Sequence, residues 1–453
     1  MIELLKKIYP LRLAPVSPDT DKAIKILQKE LPFAVHEYPS GMEFNGWMVP
    51  EVWVVEKALI QKDGKLIYDG TKHPLGVMSY GKSFKGRVAI EELKKHLTYR
   101  KDFPKAVGYH CDYYYKPWRA DWGFSIPYEI YEKLGSGNYD IDLKVNVSKG
   151  KMKVCDYFLQ GETDDTFFLN AHNCHAGQAN DDIAGVVVGI EIMKRLAKQK
   201  NHYSYRLIIA PEHLGTVFYL AGLSKNEIKK FKCGFFLEML GNKNRLALQE
   251  TFTGKGLLDE AAHHFLKFRR PDYFSAPFRK VVGNDETVWE APGYEIPTVS
   301  LSRWPYPEYH TSNDNESIIS ESMLEDSVGA VLGILQIMET NCTLKRKFDG
   351  LIALSNPKYD LYMSQRDPSI RPTISEEQVK WNYLMDCLPR YFDGTMTILE
   401  IARKHDLPYD ELYEYIGRFQ KKGLVSFVKR IAKSPVKVKK NGLRRTLRGR
   451  LFA

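Results

Sequence analysis

Between about residues 130 and 345 the chain alternates short apolar runs with stretches of helical spacing, and this alternation constrains the fold more than any other feature. "GKMKVCDYFLQGE", "DTFFLNAH", "YSYRLIIAP", "KKFKCGFFLEML" and "IPTVSLS" have the length and composition of strands. Between them, "DDIAGVVVGIEIMKRLAKQK", "GLLDEAAHHFLKF" and "DSVGAVLGILQIMET" repeat at helical period, the first ending in a basic last turn. Alternation of this kind predicts an α/β sheet covered by helices. In open sheets of that class, sites form in the crevice outside the C-terminal strand ends.

The flanking segments have other textures. A chain of 453 residues is too long for one ordinary core, so two or three domains are expected. "DKAIKILQKELPF" reads as a helix after the capping candidates Ser17 and Asp19. From Trp47 onward, "WMVPEVWVVEKALIQKDGKLIYDG" reads as short strands joined at "KDGK", and a mainly β module is expected over 45–125. Tyr113, Tyr114 and Tyr115, in "GYHCDYYYKPW", read there as packing residues. Residues 376–430 carry the texture of a winged helix-turn-helix, with Thr397 capping its second helix and Tyr409 beginning its third. The start of that third helix is acidic (Asp410, Glu411, Glu414), which disfavours DNA and favours a protein partner.

The net charge of +10 lies in the tail: Lys429 to Ala453 hold ten Lys or Arg and no acid, leaving the rest near zero. The basic tail, 431–453, is either a solvated end or a contact for acidic surfaces. The six cysteines are scattered without C-x-x-C spacing, no run reaches the roughly 18 apolar residues of a membrane span, and "MIELLKKIYPLRL" lacks signal-peptide architecture. A cytoplasmic, reducing location without membrane contact is expected.

Five pieces rich in His, Asp or Glu fall at the strand ends or loops of the α/β region: "AHNCHAGQANDD", "APEHLGT", "FFLEMLG", "VGNDETVW" and "YPEYHTSNDNES". One such residue at a strand end is usually structural. Five pieces together supply the nitrogen and oxygen donors that suit Zn²⁺. A bridging aspartate with a free glutamate beside the metal would make a hydrolase.

The order and spacing of these pieces resemble the co-catalytic zinc aminopeptidases. The matching elements are "ANDDIAG", "EHLG", "FLEMLG" and "YHTS". More narrowly, about residues 1–430 resemble an aminopeptidase-like group with an inserted β module and a C-terminal winged helix, a group linked with polysaccharide biosynthesis. The resemblance implies a phosphorylase/hydrolase-like zinc peptidase domain at 1–44 and 126–365, the β module at 45–125 and the winged-helix domain at 376–430. It implies one or two zinc ions. Asp181 matches the bridging aspartate, Glu212 the general base, Glu238 an aspartate ligand, and His310 the final histidine ligand. Asp285 resembles an acidic position that would hold a substrate ammonium, and Tyr309 is a second substrate-binding candidate. Two positions depart from the pattern. His213 stands where the family has a second glutamate ligand; it can bind zinc, or leave a one-metal site. His172 and His175 compete for the first histidine position, with His175 the better ligand and His172 the alternative. Asp182 is expected to cap the helix that follows.

Two functions are compatible with these residues. The first is a zinc-dependent aminopeptidase or related amidohydrolase acting on a peptide or aminoacyl-type substrate, with water on the metal activated by Glu212. The second is a non-catalytic binding or scaffold protein that docks through the β module and winged helix. The sequence leaves a homo-oligomer open.

Overall fold

Eight strands form one twisted sheet in the spatial order 34–39, 151–159, 204–210, 166–172, 231–237, 298–302, 247–249, 274–276. The computed structural model describes residues 1–363 and 375–428, so the basic tail at 431–453 lies outside the described residues. The four central strands, Ser204–Ala210, Thr166–His172, Phe231–Leu237 and Thr298–Ser302, run parallel. The outer pairings are antiparallel, except the parallel pair Ala247–Gln249 with Phe274–Ala276. Every residue of Thr166–His172 is buried, as a parallel strand covered on both faces requires.

Helices cover both faces of this sheet. Gly185–Leu196, Glu321–Thr340, Leu257–Arg269 and the N-terminal helices Ile2–Ile8 and Pro18–Leu27 share one apolar core. Ser17 caps Pro18–Leu27 by accepting from the Thr20 N–H, with Pro18 at the first helical position. Leu214–Gly222 and the short helix Glu286–Trp289 pack on the opposite face, around Trp289, Phe168 and Phe218. The chain therefore has a mixed α/β fold. Among the described residues no helix is long and apolar enough to cross a membrane.

Among the described residues, two further sheets have three or more strands. A four-stranded antiparallel sheet orders Lys65–Asp69, Val52–Lys62, Asn138–Ser148 and Phe84–Ala89 over its own core of Ile60, Leu93, Phe124, Tyr139 and Ile141. It runs further along the chain than the expected 45–125, because Asn138–Ser148 is one of its two inner strands. That strand mixes exposed and buried positions, so the sequence does not distinguish it from the strands that follow. At the C-terminal end, Thr343–Arg346 lies between Asp393–Thr397 and Val425–Val428 in an antiparallel sheet. Helices Glu376–Cys387, Ile398–His405 and Tyr409–Lys421 pack there, the second capped reciprocally by Thr397 and Glu400. The middle strand of this sheet comes from the stretch assigned by sequence to the α/β domain.

Candidate metal centre

The four parallel strands all end at one edge, and each delivers a polar side chain there. His172 is the last residue of its strand, Glu212 lies two residues beyond Ala210, and Glu238 directly follows Leu237. His310 comes from the loop after Ser302. The strand order reverses beside Thr166–His172, the position outside the strand ends at which open α/β sheets place their sites.

The turn 179–184 carries Asp181, and its backbone is fixed from outside. Asp314 accepts from the N–H groups of Asn180 (2.6 Å) and Asp181 (3.2 Å), while the Tyr306 hydroxyl donates to Asp314 at 2.7 Å. Asp182 faces inward. Its Oδ1 accepts from the N–H groups of Gly185 and Met239, both at 3.0 Å, and its Oδ2 from that of His172 at 3.2 Å. The expected contact with the following helix is present, and the same carboxyl also ties two strand ends together. Burial pushes Asp182 up to about 8. A Cβ at Gly185 would lie 2.4 Å from both Asp182 Oδ1 and Leu237 O, which explains the glycine in "DDIAG".

Two donor groups meet at Asp181. His172, Asp181 and Glu238 form one, and His175, Asp181 and His310 the other, the donor atoms of each lying within 4.8 Å of one another. Asp181 turns Oδ1 to His172 Nε2 at 3.0 Å, and Oδ2 to His175 Nδ1 at 3.3 Å and His310 Nε2 at 3.1 Å. Despite these distances, His172 Nε2, His175 Nδ1, His310 Nε2, Asp181 Oδ2 and Glu238 Oε2 are buried without a hydrogen-bond partner. The contacts are too bent to be hydrogen bonds, and the atoms converge on shared points between the side chains. Buried polar atoms left unpaired are costly, and a cation at such a point satisfies several together. The donor chemistry, imidazole with carboxylate, fits zinc.

The electrostatics agree with that fit. Burial raises the Asp181 carboxyl, but the charges and contacts of His175, His172 and His310 overcome it and hold the group well below the usual range. Burial, with the charge of Asp181, pushes Glu238 well above its ordinary value. Only His310, whose side chain is 24 % exposed, opens the cluster to solvent; His172 and Asp181 are at most 1 % exposed.

Glu212 lies beside the second group. Its Oε2 accepts from the Tyr115 hydroxyl and lies 3.1 Å from His175 Nε2. Its backbone N–H donates to Cys174 Sγ at 3.2 Å. Burial would raise its carboxyl, but His175, with His172 and His213, holds it well below the usual carboxylate range. Tyr114 places its hydroxyl 3.3 Å from His175 Nε2 and 3.0 Å from that of Tyr115. The Tyr109 ring meets His175 and His310 edge-on at 5.1 and 5.2 Å.

The structure brings His175, Asp181, Glu238 and His310 together. His172 joins as well: it lies with Asp181 and Glu238 in one group, and with Cys174 and His175 in a third. His213 is in none of these groups: its Nδ1 contacts Asp285 Oδ1 at 3.0 Å. The turn after the strand gives His213 a φ of 54°, and the ring points to Asp285. Asp285 is fully buried and accepts from the His213 N–H and the Thr216 hydroxyl, both at 2.5 Å, so it has no free edge for an ammonium. Tyr309 stacks on His310 at 3.9 Å and packs against Trp304. Sequence reasoning missed Tyr109, Tyr114 and Tyr115, and also Asn284, whose Nδ2 donates to Glu238 Oε1 at 2.5 Å. The run "GYHCDYYYKPW" reads equally well as packing, so the sequence alone does not separate these tyrosines from core residues.

Residues 2–341 match the family described as Domain of unknown function (DUF4910). The chain is 27 % identical over 409 residues to a Clostridium acetobutylicum protein whose name joins polysaccharide biosynthesis to an aminopeptidase-like domain, covering 90 % of this chain and 91 % of that protein. Its fold is similar to that of a C. acetobutylicum protein described as a peptidase (TM-score 0.81, 24 % identity, 94 % of this chain and 96 % of that one). It is also similar to a zinc aminopeptidase from Bacillus subtilis (TM-score 0.55, 14 % identity, 74 % and 94 %). A peptidase M28 precursor from Shewanella amazonensis gives a TM-score of 0.53 at 16 % identity, over 75 % and 92 %. At these identities the likeness is one of fold: a mixed α/β fold resembling the M28 zinc aminopeptidases.

Proposed function

The chain belongs to the DUF4910 family, and from that premise we propose that it is a zinc-dependent hydrolase of amide bonds, of the aminopeptidase type. The observation that carries this reading is the pair of donor groups sharing Asp181, with Glu212 alongside. His172, Asp181 and Glu238 would hold one zinc ion, and His175, Asp181 and His310 a second. Zinc there would supply a Lewis acid that polarises an amide carbonyl and makes water more acidic.

The chain's own residues supply the rest. Glu212 is anchored through Oε2 by Tyr115 and His175, leaving Oε1 to take a proton from the attacking water. The same carboxyl would then carry that proton to the departing nitrogen. Asp314 and Asp182 fix the loop and strand ends that place Asp181. Tyr109, packed on both His175 and His310, keeps water from that side of the centre.

The substrate would be a peptide or an aminoacyl-type small molecule. The name of the C. acetobutylicum relative supports a place in polysaccharide biosynthesis. The α/β portion (1–44 and 126–365) would form the hydrolase, the β module (45–125, extended by 138–148) would cover its site, and 376–430 would act as a winged helix for a protein partner. A cytoplasmic location accords with the scattered free cysteines. The second reading, a non-catalytic scaffold, draws support from His213 in place of a glutamate ligand. Hydrolysis of a panel of aminoacyl amides by zinc-loaded wild type and Glu212→Gln separates the two. Activity is expected to fall at least about 100-fold in the variant. Undiminished activity would remove Glu212 as the base, and no hydrolysis by wild type would favour the scaffold.

A further inference from the structure

His213 is not placed with the metal donors, and its surroundings give it another task. Asp285 behind it is fully buried and accepts from three donors: the His213 N–H, His213 Nδ1 and the Thr216 hydroxyl. Two of these three donors belong to His213, the basic group in contact with the buried carboxyl. Burial opposes a charge on His213, but Asp285, Glu212 and Glu286 overcome it and raise its pKa. The ring is held by Trp47 at 6.0 Å and Tyr115 at 5.9 Å, and 22 % of the side chain is exposed. With Nδ1 turned inward, Nε2 lies on the other edge of the ring, and no described residue accepts from it.

His213 also sits at φ 54°, ψ −60°, a backbone state that is strained for a residue with a side chain. The two bonds to Asp285 hold it there, next in the chain to Glu212. Two of the acids around it, Asp285 and Glu286, are already engaged. Asp285 is covered by His213, and Glu286 accepts from Asn284 and Gln249.

We propose that His213 is a specificity-determining residue whose Nε2–H, backed by buried Asp285, receives a carboxylate of the substrate beside the scissile amide. This deepens the amide-hydrolase reading and rests on it. The cleft wall next to Glu212 is then a cationic donor where an ammonium-binding acid was expected, and acidic amides are preferred over neutral or basic ones.

The test compares L-glutamyl, L-glutaminyl and L-lysyl p-nitroanilides, the first two differing mainly in charge, with zinc-loaded wild type, His213→Gln and His213→Asn. Wild type should show a KM about tenfold lower for the glutamyl than the glutaminyl substrate, the size of one charge-assisted hydrogen bond. Both variants should lose that preference through KM, with kcat changed less than about threefold and zinc content unchanged. Calorimetric binding of glutarate, about tenfold weaker in the variants, decides the matter even if no amide is hydrolysed. A preference for the lysyl substrate, or equal KM for glutamyl and glutaminyl, would overturn the proposal. So would glutarate affinity unchanged in the variants. A ring N–H given to a carboxylate also orients metal-binding histidines, so zinc loss in both variants would make His213 a ligand instead.

Discussion

Tyr115 shows how much the site depends on groups that neither bind metal nor carry charge. Its hydroxyl donates to the same Glu212 oxygen that His175 approaches, and both contacts fix the carboxylate that is proposed to move the proton. Tyr115→Phe should lower kcat about tenfold with zinc content unchanged, measured by steady-state kinetics beside metal analysis. A change confined to KM would assign Tyr115 to the substrate instead. At this scale Asp181, Glu212, Glu238 and His310 were legible because each follows a strand in a recognisable short pattern. The choice between His172 and His175 was not, because the loop after the strand bends until both rings face Asp181 from opposite oxygens. Tyr115 was illegible for another reason: three consecutive tyrosines satisfy a packing pattern equally well, and their partners lie up to 97 residues away.

At the scale of elements, the strand ends carry the candidate donors, and helices join the large sheet to the C-terminal part. Leu257–Arg269 meets the C-terminal helices through ion pairs: Arg269 with Asp410 and Glu411, Lys267 with Asp406, and Arg403 with Glu260. The acidic start of Tyr409–Lys421, which sequence reading set against DNA phosphates, is here met by Arg269. His264 lies in the same contact. Burial, followed by the charges of Arg403 and Lys267, lowers its pKa to about 4, against the opposing backbone contact of Leu407 and the charge of Asp406. Because the folded value lies below the unfolded value of about 6.5, the unfolded chain binds the extra proton first. Stability is then full above about pH 6.5 and falls as the pH drops toward 4. Denaturant melts should show a loss on the order of 1 kcal/mol between pH 7 and pH 5 that is smaller in His264→Gln. An equal loss in both proteins would free His264 of this role. The second helix here was legible from its cap, Thr397, whereas the pairing of Thr343–Arg346 with strands some 50 and 80 residues later is non-local and left no mark in sequence.

Over the whole molecule, one large sheet sets out the donors, and tyrosines from the segment between Phe84–Ala89 and Asn138–Ser148 pack against them. Residues between the strands of the inserted sheet reach into the centre through Tyr109, Tyr114 and Tyr115, so a module that reads as separate in sequence completes the site. The alternation of strand and helix was sufficient to anticipate the α/β sheet. The reach of the insertion was not, since Asn138–Ser148 belongs by texture to the strands beside it. The account rests on Asp181 serving two metal positions at once, and the zinc content of the purified, zinc-saturated protein tests this most directly. Two zinc ions per chain are predicted, falling to one in Glu238→Ala and one in His310→Ala, because each variant removes a donor from a single group. Wild-type protein that retains no zinc, or a single ion that neither variant disturbs, would contradict it.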